Sequence, residues 1–287
     1  VAVAVVAAVV ADNAHALASL IQLGDDVHER TKGGRNACAI AGRLGREACL
    51  QAMGDAGVDM ATADSEGRSA AWAAAAGGQE SCLRLLHGFE CDMGQPDKDG
   101  TSPAWIASQN GHEGCLRLLH GFECDMGQPN NDGATPAFAA AQNGHEGCLK
   151  FFFQVGADVD KMAILNGNSV TPVDVAIQSG HTKCIVFLQS AREAITMRRN
   201  LQTKVDHGEV EQVCHLLSTD EYRRTTEHAP FKHLFNAVFA SVEAFNKEQS
   251  DQEKLRQLLN LEFLRVGVGG VQGNCSRGGC VCVTNME

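Results

Sequence analysis

The chain has 287 residues with 35 acidic against 24 basic side chains, a net charge of -11, which opposes a sequence-independent grip on nucleic-acid phosphates or an anionic membrane surface and favours a basic or neutral protein partner. Aromatic residues make up 5%, too few for one large conventional core. Its 12 cysteines show no pairing pattern and point to a reducing compartment, the cytoplasm or the nucleus.

Val1 to Val10 is an apolar run that carries no basic n-region and is far too short to span a bilayer, so it reads neither as a secretory signal nor as a membrane segment. It is expected to form a first helix, followed by a second over Ala14 to Leu23. From there a period becomes plain. Gly34, Gly67, Gly100 and Gly133 are spaced 33 residues apart, and so are Gly45, Gly78, Gly111 and Gly144, and Cys49, Cys82, Cys115 and Cys148. A strict period of this length marks stacked supersecondary units, none of which buries its apolar face alone.

The unit from Asp97 to Pro129 predicts turn, short helix, turn, longer helix and loop. Ser102 is expected to cap the short helix, Pro103 suits its first position, and Gly111 ends it. The longer helix then carries Cys115, Leu116, Leu118 and Leu119 as an apolar stripe, with Glu113 and Arg117 on its polar side. Counting back from Pro136 in steps of 33 reaches Pro103, Ala70, Ala37 and Ala4, so the register extends to the first helix. An insertion around Met162 to Asn168 displaces the next Thr-Pro pair, Thr171-Pro172, to 36 residues. Beyond residue 198 the pattern decays. Gly208 to Leu217 looks like part of a degenerate seventh repeat, Phe231 to Phe245 and Gln252 to Phe263 have helical apolar spacing, and Gly267 to Glu287 is rich in glycine and small residues. The expected organisation is an array of six repeats over 1–198, a degenerate repeat or cap over 199–227, helices over 228–265, and a disordered tail over 266–287.

Gly133-Ala134-Thr135-Pro136, Gly144-His145, Gly156-Ala157-Asp158-Val159, Thr171-Pro172 and Gly180-His181 together resemble the ankyrin repeat. That resemblance implies an all-α solenoid of stacked helix-turn-helix units with β-hairpin-like loops. It also implies protein binding through the hairpin tips and the concave face of the shorter helices. Matching tip positions here are Glu66, Arg68, Lys98, Asp99, Thr101, Asn131 and Asp132, with Gln109, Asn110, Gln142 and Asn143 at the helix ends beside them. Plain solvation of a turn explains any one of them, so the set carries the expectation. Two departures from the family pattern stand out. Its local histidine is replaced by Trp72, Trp105, Phe138 and Asp174, where the aromatics are expected to fill space beside Ala71, Ala104 and Ala137 rather than form a recognition stripe. Glu90 and Glu123 stand where the family ends a helix with glycine, which predicts either a strained left-handed residue or an earlier helix end.

Cys49, Cys82, Cys115, Cys148 and Cys184 share one repeat position, where equivalent atoms of stacked helices lie roughly 10 Å apart, beyond disulfide reach. They are expected to be small buried thiols, with Cys91 and Cys124 at a small-residue position of the hairpin. His112 with Cys115, His145 with Cys148, and His181 with Cys184 have a spacing that supplies two metal ligands, yet the cysteine persists after Arg46 and Gln79, and the histidine matches a structural residue of the family. Neither a metal nor a cofactor is therefore expected. Cys275, Cys280 and Cys282 lack a zinc-site spacing and are misplaced for prenylation. No phosphate-cradling loop or nucleophile-base arrangement appears, so no catalysis is expected. The leading expectation is a protein-binding adaptor or scaffold. Because the chain does not begin with methionine, the alternative is a targeting or regulatory segment of a larger enzyme whose catalytic domain lies outside this chain.

Overall fold

A computed structural model describes residues 2–165 and 167–206. Its helices come in consecutive pairs: α1 (Ala2–Val10) and α2 (Ala14–Gln22), α3 (Ala37–Leu44) and α4 (Glu47–Asp55), α5 (Ala70–Gly77) and α6 (Glu80–Gly88), α7 (Pro103–Asn110) and α8 (Glu113–Gly121), α9 (Pro136–Asn143) and α10 (Glu146–Gln154). A hairpin of β1 (Ala163–Leu165) and β2 (Asn168–Val170) precedes the last pair, α11 (Pro172–Gln178) and α12 (Thr182–Asp206). The stack is thus helical throughout, with one two-stranded element among the described residues.

Local chemistry starts and stops the first helix of each unit. The side-chain oxygens of Asn36, Ser69, Ser102, Thr135 and Thr171 accept the backbone N–H three residues on, and Pro103, Pro136 and Pro172 occupy the first turn. At the other end Gly45, Gly78, Gly111 and Gly144 adopt left-handed backbone with φ between 72 and 80°, a conformation that costs glycine no Cβ clash. Small side chains let neighbouring first helices approach closely: a Cβ built on Gly42 of α3 would meet the Ala70 carbonyl oxygen of α5 at 2.6 Å.

The second helices supply the apolar layer. Each of α4, α6, α8 and α10 begins with a glutamate, placed well for the positive end of the helix dipole. Glu80–Arg84, Glu113–Arg117 and Glu146–Lys150 pair one turn apart on the solvent side. Inside lie Cys82, Leu83 and Leu86, then Cys115, Leu116 and Leu119, then Cys148, Leu149 and Phe152. The expected stripe needs one correction: Leu118 is half-buried at the margin, and Leu119 is the fully buried member.

The segment around Met162 to Asn168 is a formed antiparallel hairpin, with Ala163 opposite Val170 and Leu165 opposite Asn168. It leaves Met162 and Ile164 exposed. α12 is 25 residues long where α10 has 9, so it runs through the expected boundary at 198, and Arg192 on it pairs with Asp160 at 2.9 Å. The rest of the expected seventh repeat, from residue 207, and the segments 228–265 and 266–287 lie outside the described residues. No helix among the described residues is long and apolar enough to cross a membrane.

Candidate protein-binding groove

The tips are built by one recurring side-chain oxygen. Asp64 Oδ1 accepts the N–H groups of Glu66 and Arg68, Asp97 Oδ1 those of Asp99 and Thr101, and Asn130 Oδ1 those of Asp132 and Ala134. Thr31 does the same through one bond to Arg35. Adjacent tips are then tied backbone to backbone: Ser65 N–H donates to Gly34 O, Lys98 N–H to Glu66 O and Asn131 N–H to Asp99 O, each at 3.0 Å. The tips therefore stand as a row fixed by bonds within and between repeats.

Trp72 and Trp105 join this row to the helices. Each indole Nε1–H donates at 3.0 Å to a carbonyl of the next repeat, Trp72 to Thr101 and Trp105 to Ala134. Trp72 and Phe138 are buried, as the space-filling expectation requires, whereas Trp105 is only half-buried. Asp174, fourth in the series, instead completes a capping box with Thr171; the bonds from Thr171 hold its carboxyl below the usual carboxylate range.

Between the tips and the helices α5 and α7 runs an open groove of about 450 Å³. Six of the expected site residues line it, namely Arg68, Asp99, Thr101, Gln109, Asn131 and Asp132, together with Trp72, Trp105 and Asp97. Glu66, Lys98, Asn110, Gln142 and Asn143 are not part of its lining. Several of the expected residues also serve the fold. Thr101 is buried, Arg68 pairs with Asp64, Asn131 Nδ2 donates to Lys98 O, and Asn110 Nδ2 donates to Ala76 O. Asn143 Nδ2 donates to Ala139 O of its own helix. The two tryptophans were legible as a recurring aromatic position, but their dual service to packing and groove was not.

The histidines and thiols are turned to structure. His145 Nε2 lies 3.0 Å from Gln109 O and His181 Nε2 lies 3.0 Å from Gln142 O; a carbonyl only accepts, so Nε2 carries the proton in both. Their rings pack over Gly111 and Gly144. The cysteines of the shared repeat position are fully buried, and burial pushes Cys82, Cys115 and Cys148 up to about 12 and Cys49 and Cys184 up to about 11. Cys91 and Cys124 are half-buried. Among the described residues no three His, Cys, Asp or Glu side chains converge as a metal site would require.

Paired helices, tied tips and a groove along the row define a helical repeat solenoid. The family pattern for ankyrin repeats (3 copies) matches residues 71–163 and 104–199. The crystal structure of the human ASB11 ankyrin repeat domain superposes with a TM-score of 0.58 at 23% identity, over 65% of this chain and 82% of that one, a likeness that establishes fold and nothing finer. No curated protein sequence matches the chain. Residues 71–199 carry the ankyrin-repeat pattern, and the fold is that of an ankyrin-repeat solenoid. Ankyrin repeats are in general protein–protein interaction modules.

Proposed function

We propose that this protein is a cytoplasmic adaptor or scaffold that binds another protein through its hairpin tips and concave face and has no catalytic chemistry of its own. The observation that carries the reading is the convergence of Arg68, Asp99, Thr101, Gln109, Asn131 and Asp132 on one groove beside two indoles. Polar rims around aromatic anchors are the usual composition of a protein interface. Catalysis by the recurring residues is disfavoured on two counts. The thiols are held protonated by burial, so they are poor nucleophiles, and His145 and His181 spend Nε2 on backbone carbonyls.

The test is affinity capture from source lysate with the full chain and with the Lys98→Glu, Gln142→Glu double variant. Both side chains are exposed and lie outside the groove lining, so stability should change by only about 0.5 kcal/mol per site. Loss of the captured partner is expected. The reading is overturned if the partner binds the variant at unchanged affinity while deletion of residues 228 to 265, in a chain that still melts like the parent, abolishes capture.

A further inference from the structure

Repeats three and four hold the same carboxylate and the same indole but not the same cation. In repeat three, Asp64 Oδ2 accepts from Arg68 Nε at 2.9 Å, and the Arg68 guanidinium carbon lies 5.5 Å from the centre of the Trp72 ring. The chain's own arginine is thus held between a carboxylate and an aromatic face, an arrangement suited to a planar guanidinium. Thirty-three residues later Asp97 replaces Asp64 and Trp105 replaces Trp72. The arginine position is Thr101, a short side chain buried in the tip. Asp97 Oδ1 is engaged by the turn, at 3.0 Å from Asp99 N and 2.8 Å from Thr101 N, and its Oδ2 has no hydrogen-bond or ion-pair partner among the described residues. Trp105 is also more open than Trp72. In repeat five the three positions are Asn130, Ala134 and Phe138, so the carboxylate is lost as well. The unfilled pair occurs once, in repeat four, inside the groove.

We propose that this place takes an arginine side chain of the partner protein, its guanidinium stacked on Trp105 and paired with Asp97 Oδ2. The proposal rests on the adaptor reading and adds the chemistry of the partner. Charge supports it. Asp97, Asp99 and Asp132 line the groove, the lining cation Arg68 is already paired with Asp64, and the chain as a whole carries -11. A basic segment is drawn to such a surface, and an acidic one is repelled. Arginine is favoured over lysine because repeat three shows which cation the carboxylate–indole pair accommodates, and because a flat guanidinium can stack and pair at once.

The experiment follows the indole N–H signals of the full chain by NMR during titration with a tetra-arginine peptide. Trp72 and Trp105 are the only tryptophans, and each N–H is held on a carbonyl, so the two signals report separate places. A saturable shift larger at Trp105 is expected. Asp97→Asn, which removes the ion pair and leaves the indole, should weaken it about three- to fivefold, the scale of a partly exposed ion pair. That variant keeps the turn, since Asn130 makes the same two bonds one repeat on. Thr101→Arg should rebuild the arrangement of repeat three and abolish the shift, and tetra-glutamate should produce none. The proposal is overturned if Trp105 shows no saturable shift, if Asp97→Asn binds as the parent does, or if tetra-lysine or tetra-glutamate binds as tightly. Should that happen while Lys98→Glu, Gln142→Glu still releases the captured partner, the adaptor reading stands and the arginine site alone falls. If capture is instead indifferent to the tip variant while the peptide results hold, the arginine site stands and the wider tip surface falls.

Discussion

The groove of repeats three to five has a counterpart where repeats one and two meet, and the two differ in charge. The N-terminal groove, about 390 Å³, is lined by Val10, Thr31, Gly33, Arg35, Ile40, Arg43 and Leu44. Its Thr31, Gly33, Arg35, Ile40 and Arg43 occupy the repeat positions of Asp97, Asp99, Thr101, Ile106 and Gln109 in the central groove. Two arginines and no carboxylate line the first, whereas three aspartates line the second. The scaffold beneath is the same. Thr31 Oγ1 accepts from Arg35 N at 3.2 Å as Asp97 Oδ1 accepts from Thr101 N at 2.8 Å, and Cys49 and Leu50 are buried as Cys115 and Leu116 are. Stacking constrains the second-helix interior and the turn oxygen, and it leaves the lining positions free to vary.

The largest effect should come from breaking the shared layer. Leu50→Asp and Leu116→Asp each place a charge at a fully buried position and should destabilise the array by about 3–5 kcal/mol in urea unfolding. The two should agree within about 1 kcal/mol, since repeat stability is set by nearest neighbours. Exchanging lining residues, by Arg43→Gln or Gln109→Arg, should change stability by no more than about 0.5 kcal/mol. A lining exchange as costly as the core substitutions would end the division between scaffold and surface. Leu118→Asp should fall between the two, because Leu118 is only half-buried.

What the sequence made legible follows the range of each interaction. Caps, first-turn prolines and helix-ending glycines act within about four residues, and the expected assignments at Ser102, Pro103 and Gly111 agree with the bonds observed. The side of the longer helix was legible from spacing, but the margin of the stripe was not, because Leu118 and Leu119 differ only in where the next repeat lies. Bonds across repeats were illegible. Asn110 and Asn143 share one repeat position, yet Asn110 reaches back to Ala76 of the preceding repeat while Asn143 turns to Ala139 in its own helix. The hairpin after Met162 does carry a signal, the Asn166-Gly167 pair between short apolar runs, which in a 33-residue period shows only as extra length. The groove itself depends on Trp72 and Trp105 meeting the tips of the next repeat, a relation across 29 residues in each case.

The buried thiols give a pH test that applies along the whole layer. Burial raises Cys82, Cys115 and Cys148 from an ordinary value of 9.0 to about 12. Between those values the unfolded chain releases protons that the folded chain retains, so the stability tied to each thiol is complete below pH 9 and is lost as pH rises toward 12. At pH 10 the loss should be about 1 kcal/mol for each thiol. Urea midpoints at pH 7.5 and pH 10 should show a clear fall, and Cys115→Ala should make that fall shallower. Thiol reagents should label Cys115 and Cys148 only on unfolding. Rapid labelling of the native chain would show that the layer is open between repeats, and an unchanged pH dependence in Cys115→Ala would show that its thiol is not held in the protonated form.

The smallest effect concerns the turn after the second helix, where the units differ in one backbone residue. Gly57 and Gly156 take φ of 71 and 78°, and in repeats three and four Glu90 and Glu123 take 59 and 62°. The bonds around them match: Glu90 N donates to His87 O and Cys91 N to Leu86 O, as Gly57 N donates to Gly54 O and Val58 N to Met53 O. Since the surrounding bonds are the same, the difference is the strain of a Cβ-bearing residue in left-handed backbone, about 1 kcal/mol. Part of that is offset because glycine gives the unfolded chain more freedom. Glu90→Gly should therefore stabilise the array by about 0.5 kcal/mol. Gly57→Glu should destabilise it by a similar amount, since a Cβ at Gly57 meets nothing within 4 Å and only the backbone resists it. Urea midpoints of the two variants and of the double variant separate the terms. Opposite shifts that cancel would confirm that these hairpins carry strain in the backbone, whereas loss of stability in Glu90→Gly would mean that the glutamate side chain contributes more to its repeat than its conformation costs.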